Sequence, residues 1–215
     1  MRRSGSAKRA RPSGRARRQR SRHELLLAAG LALGLAAVAA VIYPLGAHPS
    51  RNASAPAQIG GPFDLVDQTG RRVTDRDLLG KPTLIAFGFT TCPDVCPMTL
   101  THMTSWLRAL GPAGDRLNVI YVTVDPERDT PQQLRAYLSA FDPRIKGLTG
   151  APEGVDQIAR EYRVFHQKVP LAGGGYTVDH ATTLYLMDAK GRFVRPLRFD
   201  QPDAEALPAL RRLAG

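Results

Sequence analysis

The chain has two cysteines in 215 residues, Cys92 and Cys96, within the string Thr91-Cys92-Pro93-Asp94-Val95-Cys96-Pro97. A spacing of four on a helix sets two side chains on one face, about 5 to 6 Å apart at Cβ. Such a pair can oxidise to a disulfide or grip one soft metal ion. Two prolines bracket it. Proline is accommodated in the first turn of a helix and costs about 3 kcal/mol in its interior, so the turn around Pro93 should be irregular and regular helix should begin near Pro97. Both sulfurs would then stand at a helix N-terminus, where unpaired N–H groups and the macrodipole favour the thiolate. The thiolate is the form that binds metal.

His180, in Val178-Asp179-His180, reads from the sequence alone as a loop histidine bonded to backbone; it could add an imidazole donor, but sequence distance does not bring it to the cysteines. Asp179 beside it could orient the imidazole or simply be solvated. Two thiolates and one imidazole suit copper, whereas a structural zinc site is usually closed by four ligands. Zinc would need Asp94 or Asp179 to complete its shell. Spacing alone leaves copper and a plain dithiol level.

Asp125 and Asp129 fall just past an apolar strand-like run, at the edge of an α/β sheet where sites collect. Thr130-Pro131-Gln132-Gln133 also has the form of a capping box, so this loop could serve only to start a helix. Met98, His102 and Met103 follow the cysteines, and core packing or surface exposure accounts for them. His166 is expected at the surface and Trp106 in the core. Gly173-Gly174-Gly175 reads as a flexible loop before His180; it lacks the helix and lysine of a phosphate cradle.

The elements that must position these residues alternate between strand and helix patterns. Phe63 to Val66 and Arg72 to Thr74 read as a hairpin around Asp67-Gln68-Thr69-Gly70. Thr83 to Phe89 is a continuous apolar run, the form of a strand buried on both faces. Val119 to Val124 is strand-like; Pro93 to Leu110, Pro131 to Phe141 and Gly154 to Tyr162 are helical. Thr182 to Met187 and Phe193 to Phe199 form a second hairpin, and Asp203 to Leu213 closes the chain as a helix. This order argues for an α/β fold, with a mixed sheet flanked by helices in a thioredoxin-like arrangement.

The formal charge of +11 comes from 30 Lys and Arg against 19 Asp and Glu, and ten of those basic residues lie within residues 1–22, which hold no acid. The remaining body is nearly neutral with both signs interspersed. That excludes a nucleic-acid surface. Leu25 to Ile42 then runs without a charge or a side-chain hydrogen-bonding group, enough with Tyr43 to Ala47 to cross about 30 Å of hydrocarbon. The expected organisation is a basic cytoplasmic tail over 1–23, a single transmembrane helix over 24–47, a Pro/Ser/Gly-rich tether over 48–61 and a folded domain over 62–215. Positive charge on one flank places the domain across the membrane. A cleaved signal peptide is the competing reading, set back by the length of the apolar run and by Pro56 after Ala53-Ser54-Ala55. A mitochondrial transit peptide would need amphipathic spacing that residues 1–22 lack.

Three strings in order, Gly88-Phe89-Thr90-Thr91-Cys92-Pro93-Asp94-Val95-Cys96-Pro97, Val124-Asp125-Pro126-Glu127-Arg128-Asp129-Thr130-Pro131, and Val178-Asp179-His180 before Leu184-Tyr185-Leu186-Met187-Asp188, resemble the Sco/SenC family of copper-binding assembly factors for cytochrome c oxidase. The resemblance covers essentially the whole domain. It implies a thioredoxin fold, copper, as Cu(I) or Cu(II), held by Cys92, Cys96 and His180, and metallation of the CuA centre of oxidase subunit II. It further implies a surface loop carrying Asp125 and Asp129 near the copper site, other copper chaperones or thiol reductants as partners, and a bacterial inner membrane with the domain in the periplasm, or else a mitochondrial inner membrane. Ala181 stands where a serine is more usual.

Two classes of function follow. One is a membrane-anchored metallochaperone, with reduction of client thiols as an added role. The other is a thiol-disulfide oxidoreductase or thiol peroxidase on the same fold. A redox thioredoxin carries two residues between its cysteines rather than three, and Thr91-Cys92 lacks the upstream proline of a peroxidase.

Overall fold

The computed structural model describes residues 58–215, together with Gly30 as one isolated helical residue. The tail and anchor expected over 1–23 and 24–47 otherwise lie outside the described residues, and among the described residues no helix is long and apolar enough to cross a membrane.

The domain is built on a seven-stranded mixed sheet. Its strands are β1 (Asp64–Asp67), β2 (Arg72–Thr74), β3 (Thr83–Gly88), β4 (Asn118–Thr123), β5 (Ile145–Thr149), β8 (Leu184–Met187) and β9 (Phe193–Leu197), in the order β2-β1-β5-β4-β3-β8-β9. Strands β3, β4 and β5 are parallel, while β1 and β8 join this trio antiparallel at either side. The run Thr83–Gly88 is buried at every position, as a central strand covered on both faces must be. Four α-helices complete the domain: α1 (Val95–Leu110), α2 (Pro131–Leu138), α3 (Pro152–Tyr162) and α4 (Asp203–Ala214). Trp106 of α1 sits in the core, its indole N–H donating to Asp203 Oδ1 at 2.8 Å.

Several element boundaries differ from the sequence expectation for identifiable reasons. Helix α1 starts at Val95, so Pro97 falls in the first turn, where its missing N–H would have no intrahelical partner. Cys92 lies before the helix, in a turn closed by its own N–H donating to the Phe89 carbonyl at 3.3 Å. Thr130 caps α2 as expected, its hydroxyl accepting from Gln133 N–H at 3.2 Å with Pro131 first in the helix. Strand β5 carries little apolar signal of its own, since exposed Lys146 and buried Gly147 interrupt it; pairing with β4 supplies the order. The folded part also begins before residue 62, because Gly60 N–H donates to the Glu161 carbonyl at 2.9 Å and Ile59 packs on the core.

A separate two-stranded sheet, β6 (His166–Pro170) and β7 (Tyr176–His180), carries the histidine. It has little apolar content and is legible only through its pairing, His166 opposite His180 and Pro170 opposite Tyr176. The three glycines form its turn, where Gly174 and Gly175 adopt φ of +89° and +75°. Side chains with a Cβ rarely take that conformation. His180 is thus the last residue of a strand, not part of a loop.

Candidate metal centre

The parallel pair β3 and β4 ends in two loops at one edge of the sheet, and β8, running antiparallel beside β3, begins at that same edge. The cysteine turn follows β3, the Asp125–Asp129 loop follows β4, and His180 precedes β8. Cys96 Sγ stands 3.5 Å from His180 Nε2, across 84 positions of sequence. The other ring nitrogen, Nδ1, is 2.9 Å from the Ala181 carbonyl. A carbonyl can only accept, so Nδ1 carries the proton and Nε2 turns its lone pair to the sulfur. Burial lowers the histidine pKa, which keeps the ring neutral. The ring is further held edge-on to Phe89, with centroids 5.7 Å apart.

The two cysteines are free thiols in unlike settings. Cys96 is buried at 2 % exposure and Cys92 is half-buried. Burial pushes the Cys96 thiol up to about 12, with the nearby Cys92 adding to the rise and the Phe89 backbone opposing it. The expected thiolate-favouring effect of the helix start is therefore outweighed at Cys96 by loss of water. With the ring proton on Nδ1, Nε2 is the acceptor available to the Cys96 thiol, and a cation held between them would replace the thiol proton. Among the described residues no three His, Cys, Asp or Glu side chains are already drawn around one point; Cys96 and His180 are the donors that meet.

Gly88, the last residue of β3, makes this placement possible. A Cβ added there would sit 2.4 Å from the Tyr121 hydroxyl and 2.8 Å from Cys96 Sγ. Gly88→Ala should displace the sulfur and cost about 2 kcal/mol, as overpacking in a close-packed interior does; chemical denaturation of wild type and variant measures it.

The two aspartates are not on the surface. Both are fully buried, and one ties the β4 loop to the cysteine turn while the other ties it to the histidine hairpin. Asp129 accepts from Thr90 N–H at 2.9 Å, Thr90 Oγ1 at 2.6 Å and Thr123 Oγ1 at 2.6 Å, which fastens the cysteine turn. Burial raises its pKa against the lowering effect of those hydrogen bonds. Asp125 accepts from the Tyr176 hydroxyl at 2.8 Å and from Arg128 Nε, which fastens the histidine hairpin. Arg128 also donates to the Tyr176 carbonyl at 2.9 Å and lies over its ring, 4.0 Å from the centroid. A carboxyl buried without water needs such partners; the loop itself stays at the surface, with Glu127 and Thr130 exposed, while its two aspartates turn inward.

Asp179 is exposed, and the Ala181 carbonyl holds the imidazole in its place. His166 is half-buried rather than fully exposed and reaches Asp156 at 3.3 Å. Met98 is exposed, Met103 is buried and His102 lies against Trp106, so these three do not converge. Sequence reasoning passed over Thr90, Thr123, Arg128 and Tyr176. Thr90 lies beside the cysteine string, but Tyr176 gains its role only from the β6–β7 register. Tyr176→Phe should cost about 1 kcal/mol, the net worth of one hydrogen bond, and speed amide exchange in β6 and β7 selectively, as read by hydrogen–deuterium exchange.

The SCO1/SenC family pattern matches residues 51–215. The protein SenC of Rhodobacter capsulatus is 40% identical over 157 residues, covering 73% of this chain and 69% of SenC. The mitochondrial SCO1 homolog 1 of Arabidopsis thaliana is 42% identical over 140 residues, covering 65% of this chain and 42% of that protein. The chain spans about half the length of its Arabidopsis thaliana and Schizosaccharomyces pombe relatives. Among solved structures, Bradyrhizobium japonicum ScoI with copper bound superposes with a TM-score of 0.69 at 50% identity, covering 72% of this chain and 99% of that one. A thioredoxin-like sheet edge that joins a cysteine turn to a distant histidine, and a pattern match running from residue 51 to the last residue, lead to one conclusion: the chain belongs to the SCO1/SenC family.

Proposed function

We propose that this protein is a membrane-anchored copper metallochaperone that assists assembly of the CuA centre on subunit II of cytochrome c oxidase. The observation that carries the reading is the 3.5 Å approach of Cys96 Sγ to the unprotonated Nε2 of His180. A soft thiolate and a neutral imidazole are donors for copper, and a relative of this chain has been solved with copper bound. Cys92, half-buried in the preceding turn, is the third donor once that turn closes on the pair. One ligand buried and one accessible suit a cargo that must leave: the accessible thiolate is where an incoming client ligand displaces the ion.

The anchor is assigned to residues 24–47 and the domain to the periplasmic side of a bacterial inner membrane, on the strength of the basic tail before an uncharged run. Client thiols must be reduced to receive copper, so reduction by Cys92 and Cys96 is an added role. As the sole activity, thiol-disulfide exchange fits less well. A buried thiol pushed up to about 12 is a poor partner in rapid exchange.

The test is transfer. The copper-loaded chain is mixed with the reduced, metal-free CuA domain of subunit II, and the CuA absorption is followed. Growth of that absorption supports the reading. Turnover of a disulfide client, with no CuA formed from the loaded chain, would replace it with the oxidoreductase.

A further inference from the structure

Tyr121 of β4 is fully buried, and its hydroxyl has no hydrogen-bond partner. An unpaired buried hydroxyl is costly, and native structures seldom keep one without a use. The group lies directly across Gly88 from the metal-centre sulfur. The point where a Gly88 Cβ would stand is 2.4 Å from the Tyr121 hydroxyl and 2.8 Å from Cys96 Sγ, and the missing side chain leaves the two atoms as neighbours. A thiol whose proton is directed to His180 Nε2 is a weak acceptor. A thiolate bound to a metal is a strong one.

We propose that Tyr121 is a positioning residue for the metal-bearing sulfur, its hydroxyl donating a hydrogen bond to Cys96 Sγ once that sulfur has lost its proton. This rests on the copper reading above. In the metal-free protein the hydroxyl stands beside the sulfur without a well-aligned hydrogen bond, and the bond strengthens once the sulfur is a metal-bound thiolate. Outer partners of this kind set ligand orientation and metal affinity, and hydrogen bonds to a cysteine sulfur tune the potential of a copper site. By withdrawing electron density from sulfur, the bond raises the Cu(II)/Cu(I) potential and favours the reduced ion.

The predicted signature separates this role from simple packing, because its two effects have opposite signs. In the full chain, Tyr121→Phe should leave the metal-free melting temperature unchanged or raised. It should also shrink the rise in melting temperature on adding copper, move the sulfur-to-Cu(II) charge-transfer band to lower energy and lower the Cu(II)/Cu(I) potential. Tyr137 carries the other unpaired buried hydroxyl nearby, its ring 6.2 Å from that of Tyr121. Tyr137→Phe should leave the band in place. An unchanged band and an unchanged copper-induced rise in Tyr121→Phe would overturn the assignment, as would an equal band shift in both variants. Should Tyr121→Phe not fold, 3-fluorotyrosine at position 121, a stronger donor of nearly the same shape, should move the band to higher energy, and no movement would overturn it. Failure of the wild-type chain to bind copper would instead remove the underlying reading.

Discussion

His180→Ala is expected to lower copper affinity beyond the roughly 10–100-fold that loss of an outer partner costs, while leaving the metal-free fold in place. In the proposed site the ring serves as a donor to the ion and contributes little else. Its backbone stays in β7, opposite His166, and the edge-on contact with Phe89 is worth about 1 kcal/mol. Competition titration of the full chain against a chelator of known copper affinity measures the loss, with thermal unfolding of the metal-free variant alongside. A variant that keeps wild-type affinity would show that the thiols hold the ion without the imidazole, and the three-donor assignment would fall. Cys96→Ser removes the other member of the close pair and should be at least as severe, because a hydroxyl is a poor ligand for a soft ion.

Asp129→Ala should be the most destabilising change at the site outside the ligands, by about 3 kcal/mol. Removing the carboxylate leaves the Thr90 N–H and two threonine hydroxyls, Thr90 and Thr123, without their acceptor in a buried setting. For a domain of this size that corresponds to a fall of roughly 6–12 °C in melting temperature. The cysteine turn loses its fastening at the same time, so copper affinity should fall with stability although Asp129 is no ligand. The pH dependence has a definite sign. Burial raises the folded-state pKa of Asp129, so between the ordinary carboxylate value and the raised one the folded protein holds a proton that the unfolded chain has released. Stability from this group therefore falls as pH rises from the ordinary carboxylate value through the raised one, and the gap between wild type and Asp129→Ala should narrow over that window. A gap that widened with pH would mean that the carboxylate is charged in the folded state.

Much of this site was legible before any coordinates, for reasons that differ from residue to residue. Cys92 and Cys96 declare themselves because their chemistry is local: type, spacing and flanking prolines are enough to mark a reactive or metal-binding turn. Asp125 and Asp129 were visible as acids at a strand end, but their burial was not, since the partners Thr90 and Tyr176 come from two distant segments and only Thr123 lies on the preceding strand. The helix start does not lower the thiol pKa at Cys96, for the same reason. The dipole is a property of the local helix, whereas burial depends on β3, β4 and β7 closing over the sulfur.

By itself the sequence determined the alternation of strands and helices, the basic tail before an uncharged run, and the membership that ordered motifs imply. These rest on periodicity and composition, which are written along the chain. Only the tertiary structure decided that His180 belongs to a strand, that its Nε2 faces Cys96, that Ala181 rather than Asp179 holds its ring, and that the vacancy at Gly88 sets a tyrosine hydroxyl beside the sulfur. Each of these depends on strand register. Register is set by pairings between residues far apart in sequence, where a shift of one position would turn every one of these side chains to the opposite face.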